Sequence, residues 1–438
     1  YVSKDYKKFS NQIVDLDKKL FVNKEDVNFV GNELRKRQYL SGFSIEDLEL
    51  ILHPMVEDGK EATGSMGDDT PVAVLSSHFR PLSHYFRQNF SQVTNPPIDS
   101  LRENKIMSLK TRFGNLGNIL DFNNLTEDTI YVLDSPILTN SQIKKFKKFF
   151  SKKIKIIDCT FNIEESLKDN LDRIQTEAET SVREGSSTLI LSDKNISEKR
   201  ANIPMILSVG AVNSHLVKLG LRGYCSINTE TSETLDTHSF AVLIGAGATT
   251  INPYLVLDSI YQRYEKKLFG KIDFSTCVGR FKKSVENGLL KIMSKMGISV
   301  VSAYRGGCNF ETVGLSRALV SDYFPGTVSR ISGIGITGIE SKIKSLHKNA
   351  YQKDVQVLPI GGIYKYRKSG EDHQFQGKLI HTLQHAVGTG SYEVYKKYSD
   401  GIHKLPPINL RDLLDFKENR RPTALDKVES IEGTYKKI

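Results

Sequence analysis

KIKIIDCTFNIEESLKDNLDRIQTEAETSVREGSSTLILSD, residues 153–193, is the stretch on which the fold reading turns. KIKIIDCTF (153–161) and STLILSD (187–193) are short β-branched runs of nearly continuous apolar character, as expected of strands buried on both faces of a parallel sheet. LKDNLDRIQTEAETSVREG (167–185) between them has the amphipathic pattern of a helix. Strand, helix and strand in that order make a β/α unit.

The same alternation extends in both directions. TIYVLDS (129–135), GYCSINTE (223–230), FAVLIGAG (240–247) and ISVVSAY (298–304) read as further strands. SQIKKFKKFF (141–150), PMILSVGAVNSHLVKLG (204–220) and GLLKIMSKMG (288–297) read as helices. Six such units approach the eight of a closed barrel. The expected fold is therefore α/β, a (β/α) barrel-like array of parallel repeats, complete or incomplete, with a doubly wound open parallel sheet as the alternative.

Residues 1–120 read as mainly helical, with FSIEDLELILHPMVEDGKEA (43–62) the clearest amphipathic run and Ser44, ahead of Glu46 and Asp47, its N-terminal cap. The β/α repeats occupy 129–340. Glycines and charges in GGIYKYRKSGEDHQFQ (361–376) mark a boundary, set at 365/366, before a helix at KLIHTLQHAV (378–387). LPPINLRDLLDFKENRRPTALDKVES (405–430) is turn-rich, and the chain reads as a fragment that stops before another strand series develops.

A chain of 438 residues with 39% hydrophobic and 26% charged residues has the composition of a folded protein of several domains. No apolar run is long enough to span a membrane and the first residues, YVSKDYKK, carry no signal-peptide pattern, so a cytosolic location is expected. Cys159, Cys225, Cys277 and Cys308 are too widely spaced for a short metal-ligand motif, so reduced thiols and no bound metal are expected. The net charge of +10 raises a nucleic-acid reading. Its densest basic stretch, KKFKKFFSKKIKI (144–156), fits better as the solvated face of an amphipathic helix, so no nucleic-acid partner is expected.

GSMGDDTP (64–71) can bring backbone close to a ligand because glycine leaves room for it, or it can be a helix end and turn. In QVTNPPIDSLRE (92–103) consecutive prolines stiffen an extended run, after which Ser100 and Glu103 form an S-x-x-E capping box. Gly-rich runs at 245–250 (GAGATT), 305–307 (RGG), 332–338 (SGIGITG) and 361–364 (GGIY) match neither the dinucleotide fingerprint nor the P-loop. His215, His238, His373, His381 and His385 could carry protons, but HTLQH (381–385) lacks the glutamate of a zinc-protease helix. No catalytic residue is identifiable.

Taken in order, GSMGDDTP, FRQNFSQVTNPPIDSLRE (86–103), INPYL (251–255), NGLLKIMSKMGIS (287–299), SRISGIG (329–335) and LQHAV (383–387) resemble the glutamate synthase large chain. The resemblance implies a central domain over 1–365 and the start of an FMN-binding synthase domain over 366–438. It implies reductive transfer of the glutamine amide nitrogen to 2-oxoglutarate, giving L-glutamate, in an oxidoreductase acting on CH–NH2 donors. FMN and a 3Fe-4S cluster belong to the full-length enzyme, none being bound by this segment alone, which is expected to be inactive by itself. Its partners would be its own amidotransferase and FMN domains, with a small glutamate synthase subunit or ferredoxin as electron donor. The resemblance further puts Met66 and Thr94, with Gly64, Ser65, Gly67 and Asn95, on flavin-facing loops that wall an ammonia passage. Gly307, Cys308 and Asn309, and the Gln376–Gly377 pair, depart from the family pattern. A stand-alone scaffold or interaction module is the competing reading.

Overall fold

The computed structural model describes residues 13–22, 24–61, 75–76, 78–90, 98–99, 101–113, 130–352, 355, 357–417, 419 and 421–437. They fall into two compact units, Tyr1–Thr70 with Phe79–Tyr364, and Pro71–His78 with Lys365–Ile438.

The first unit is a mixed α/β body around a four-stranded parallel sheet. Its strands are Ile154–Asp158, Thr188–Ser192, Ser226–Glu230 and Thr250–Asn252, adjacent in the sheet in the order they follow in the chain. Ile137 bridges Ile251 in parallel beyond the last strand, with Leu138 N–H donating to the Ile251 carbonyl. Both middle strands are buried at every residue, which is why they lack a polar/apolar alternation. Helices Leu167–Arg183 and Met205–Lys218 connect the first three strands. The Ser166 side chain caps the first of these, which buries Leu167, Leu171, Ile174 and Ala178, residues three and four apart on one face.

Two expected strands take other forms. FAVLIGAG lies in helix Thr237–Ala246, capped by Asp236 and buried from Thr237 to Ile244, and a helix buried all round gives the same continuous apolar run as a strand. The fourth strand comes just after it and is only three residues long. ISVVSAY contributes a single bridge from Val300 to Ser108 and the short helix Val301–Tyr304. TIYVLDS does form a strand, Ile130–Leu133, but it pairs with Ile13–Asp15 and Thr111–Phe113 in a separate small sheet. A third sheet centres on Phe310–Leu315, with Val328–Ile334 parallel on one side and Phe86–Gln88 antiparallel on the other. The described residues contain no closed barrel.

The run at 43–62 starts as expected, since Ser44 Oγ accepts from Asp47 N–H and the Asp47 carboxylate accepts from Ser44 N–H. Its middle, Asp47–Leu52, is wound more widely, and His53 N–H reaches back five residues to Leu48. Pro54 lacks an N–H and would crowd the carbonyl four residues earlier, and a wide turn relieves both. Past it run the regular turn His53–Glu57 and, far along the chain, helix Phe274–Met296, begun by Asp273 and ended by Gly297 in the left-handed region.

In the second unit, helices Gly377–Thr389 and Tyr392–His403 form a hairpin turned at Gly390. Gly401 is tight there, because a Cβ would sit 2.6 Å from Leu379 Cδ2. Leu75 N–H donates to the Ile408 carbonyl and Ser76 Oγ to Glu371, tying the short early piece to the late one. Among the described residues no helix is long and apolar enough to cross a membrane.

Candidate functional site

Gly64, Ser65, Met66, Gly67, Thr94 and Asn95 lie outside the described residues, as do Ser100 and most of both motifs. The residues that flank them are described. Glu61 precedes the first segment, and its Oε2 lies beside Gly288, where a Cβ would meet it at 2.8 Å and Thr237 Oγ1 at 2.6 Å. Ile98 follows the second segment, and its carbonyl accepts from Ser294 Oγ at 3.1 Å. Gly288 and Ser294 stand on one helix, about 9 Å apart along its axis. Ahead of the second segment, Asn89 N–H and Gln88 Nε2 both donate to the Asn309 carbonyl, and Tyr304 Oη donates to Gln88 Oε1 at 2.6 Å. The helix after the prolines, Glu103–Ile106, is preceded by Asp99, whose carboxylate accepts from Leu101 and Arg102 N–H.

Enzymes built on parallel sheets place substrates at the carboxyl ends of the strands. Here that edge is filled by the chain itself. Glu230, ending the third strand, binds Lys147 at 2.7 Å and Lys194 at 2.9 Å. Burial alone would raise its carboxyl, but Lys194 and Lys147 outweigh that and hold it below the usual range. Asp193 accepts from Ser232 N–H and Oγ. Residues 26–38 run across this edge. Asn28 and Phe29 N–H donate to the two Asp258 oxygens at 3.0 Å, and Arg37 lies over the Phe29 ring while donating to the Lys194 and Ile196 carbonyls. Burial pushes Asp258 up to about 6 even with those donors in place. Glu230 and Asp258 are thus paired at both oxygens, whereas Asp193 Oδ1 is buried with no hydrogen-bond partner among the described residues.

Beside it, the Glu233 carboxyl is pushed up to about 8 by burial and then by Asp193. It accepts from Met205 N–H at 2.7 Å and Asn202 Nδ2 at 2.8 Å, and lies between two cavities of about 40 Å³ that also share Phe79. The second cavity includes Asp47, which burial raises to about 6. This carboxyl pair was not singled out from sequence, and only the adjacency of Glu233 to a strand end could have hinted at it.

Two of the Gly-rich runs serve the fold. In GGIY the Ile363 and Tyr364 N–H groups donate to the chain's own buried Glu46, at 2.6 and 3.3 Å. In GAGATT, Gly247 (φ 127°) ends a helix and its carbonyl accepts from Arg222, while Thr249 N–H pairs with the third strand. His238 Nε2 lies 3.1 Å from the Ser83 carbonyl and His215 pairs with Glu179 at 2.8 Å, while His381 and His385 are exposed on their helix. Cys159, Cys225 and Cys277 are buried and Cys308 is exposed, and burial pushes the Cys159 thiol up to about 12. Among the described residues no three His, Cys, Asp or Glu side chains are placed to hold a metal ion.

Residues 36–316 match the family model described as glutamate synthase central domain. The chain is 53% identical over 409 residues to the glutamate synthase [NADPH] large chain of Azospirillum brasilense, covering 93% of this chain and 27% of that protein. It is 39% identical to the corresponding large chain of Bacillus subtilis, over 93% of this chain and 27% of that protein. To the ferredoxin-dependent glutamate synthase of Spinacia oleracea it is 37% identical, over 92% of this chain and 26% of that one. The chain thus spans about a quarter of the length of these relatives.

Proposed function

Because the chain belongs to the glutamate synthase central-domain family, we propose that it is the segment joining the ammonia-releasing and ammonia-consuming sites of a glutamate synthase large chain. In that setting the whole protein transfers the glutamine amide nitrogen reductively to 2-oxoglutarate. Residues 1–365 are the central domain and 366–438 begin the FMN-binding domain. Its partners are its own amidotransferase and FMN domains, together with a small subunit or ferredoxin as electron donor, in the cytoplasm. The consecutive strand order and the Ile137–Ile251 bridge favour an incomplete (β/α) barrel over a doubly wound sheet, whose order reverses at a switch point.

The loops 64–67 and 94–95 wall the passage. The observation that carries this is that both flanks lie against helix Phe274–Met296, Glu61 Oε2 beside Gly288 and the Ile98 carbonyl bonded to Ser294 Oγ. Ammonia has to be kept from water and protons on the way, and a stiff wall of Gly, Met, Thr and Pro does so where charged side chains would not.

The residues present do not fit an iron–sulfur cluster, since three of the four cysteines are buried apart from one another among other elements and no ligand group forms among the described residues. No step is assigned to a cofactor held by this segment. Replacing Met66 and Thr94 by cysteine in the full-length enzyme tests the convergence. A short bifunctional thiol reagent should bridge the two in the folded enzyme and fail after denaturation. Absence of the bridge under native conditions would remove the passage assignment.

A further inference from the structure

Helix Asn140–Phe149 begins at a capping box between Thr139 and Gln142 and buries Ser141, Ile143 and Phe146, which leaves Lys144, Lys145 and Lys148 exposed on its outer side. Residues 24–26 are stitched along the start of this helix. Ser141 Oγ donates to the Lys24 carbonyl at 2.9 Å and accepts from Asp26 N–H at 2.8 Å, and Asn140 Nδ2 donates to the Asp26 carbonyl at 3.1 Å. Between the two runs opens a cleft of about 340 Å³ whose walls include Lys24, Lys144, Lys145 and Lys148, with Asp26 the one acid among its lining residues.

The charges in this cleft are unbalanced. Lys147 of the same helix meets a carboxylate, Glu230, on the side toward the sheet. In the cleft Lys144 pairs with Asp26 at 3.1 Å, and Lys145 Nζ donates to the neutral Phe21 carbonyl. The Lys24 and Lys148 ammonium groups have no partner among the described residues. Four cations thus face one carboxylate. A concave wall focuses the field of its charges, and cations gathered round one space repel each other until an anion joins them. The floor does not depend on a ligand, because the seam that sets it is made by the buried Asn140 and Ser141. The space is of the size that small-molecule sites have, roughly 300–1,000 Å³. Lysine suits such a site, as a compact charge on a flexible stem that meets a phosphate or carboxylate oxygen without a fixed fork.

We infer that this cleft binds a small polyanion, a polyphosphate or a polycarboxylate, with Lys24 and Lys148 supplying the free ammonium groups. Acetylation of single lysines by a neutral acylating reagent, read by mass spectrometry of the full-length enzyme, is measured in tripolyphosphate, citrate and chloride at equal ionic strength. At ten times its dissociation constant the bound anion should slow acetylation of Lys24 and Lys148 about tenfold relative to chloride. Lys218, exposed and outside the cleft, should react at one rate in all three salts. Protection by tripolyphosphate alone assigns the site to phosphates, by citrate alone to carboxylates, and by both to either class. Lys148→Glu, at an exposed position, should abolish the protection of Lys24, and Lys148→Arg should keep it. Equal rates at Lys24 in all three salts, slowing that is as large at Lys218, or protection of Lys24 undiminished in Lys148→Glu would each overturn the site.

Discussion

Glu46 and Glu233 both accept from backbone N–H groups, but their settings differ. Glu46 is clasped by the Ile363 and Tyr364 N–H groups, and Gly361 (φ 86°) allows the approach, since a Cβ there would lie 2.6 Å from Glu46 Cβ. Glu46→Ala strands those donors and should lower the unfolding free energy by about 1–3 kcal/mol in urea titrations. The GGIY run was legible as a Gly-rich break in the pattern, but its partner was not, because Glu46 lies hundreds of residues earlier. Glu233 instead has a folded value near 8, above its unfolded one. Between about pH 5 and pH 8 the folded state therefore keeps a proton that the unfolded chain has lost, and stability declines as pH rises through that window. Glu233→Gln removes that decline, so the variant should gain on the wild type as pH rises. A pH-independent difference in melting temperature would contradict this.

Strands Ile154–Asp158, Thr188–Ser192 and Ser226–Glu230 were legible as short β-branched runs, and the Ser166-capped helix between the first two by its amphipathic period. Helix Thr237–Ala246 was not, since burial on every side erases its periodicity, and Thr250–Asn252 is too short to show one. Residues 26–38 had no visible role either, because their function is to close the sheet edge, a tertiary matter. Two outcomes belong to that edge. Asp258→Ala should speed amide exchange at Asn28 and Phe29 well ahead of the core strands, as both lose their acceptor. Glu230→Gln should cost about 3–5 kcal/mol in chemical denaturation, because it leaves Lys147 and Lys194 facing one another without an anion.

Across the molecule, the carboxyl edge of the parallel sheet is covered by residues 26–38 of the chain itself, and the proposed function falls to residues 64–67 and 94–95. The predicted loop residues 64–67 and 94–95 lie outside the described structure, yet their flanks meet on helix Phe274–Met296. That shared helix is what supports the proposed passage. The most direct test is the product ratio of the full-length enzyme carrying Met66→Trp, with glutamine consumed, glutamate formed and free ammonia all measured. A blocked passage should lower the yield from two glutamates per glutamine toward one, with ammonia appearing in solution. A variant that turns over and still yields two glutamates per glutamine, without free ammonia, would contradict the account.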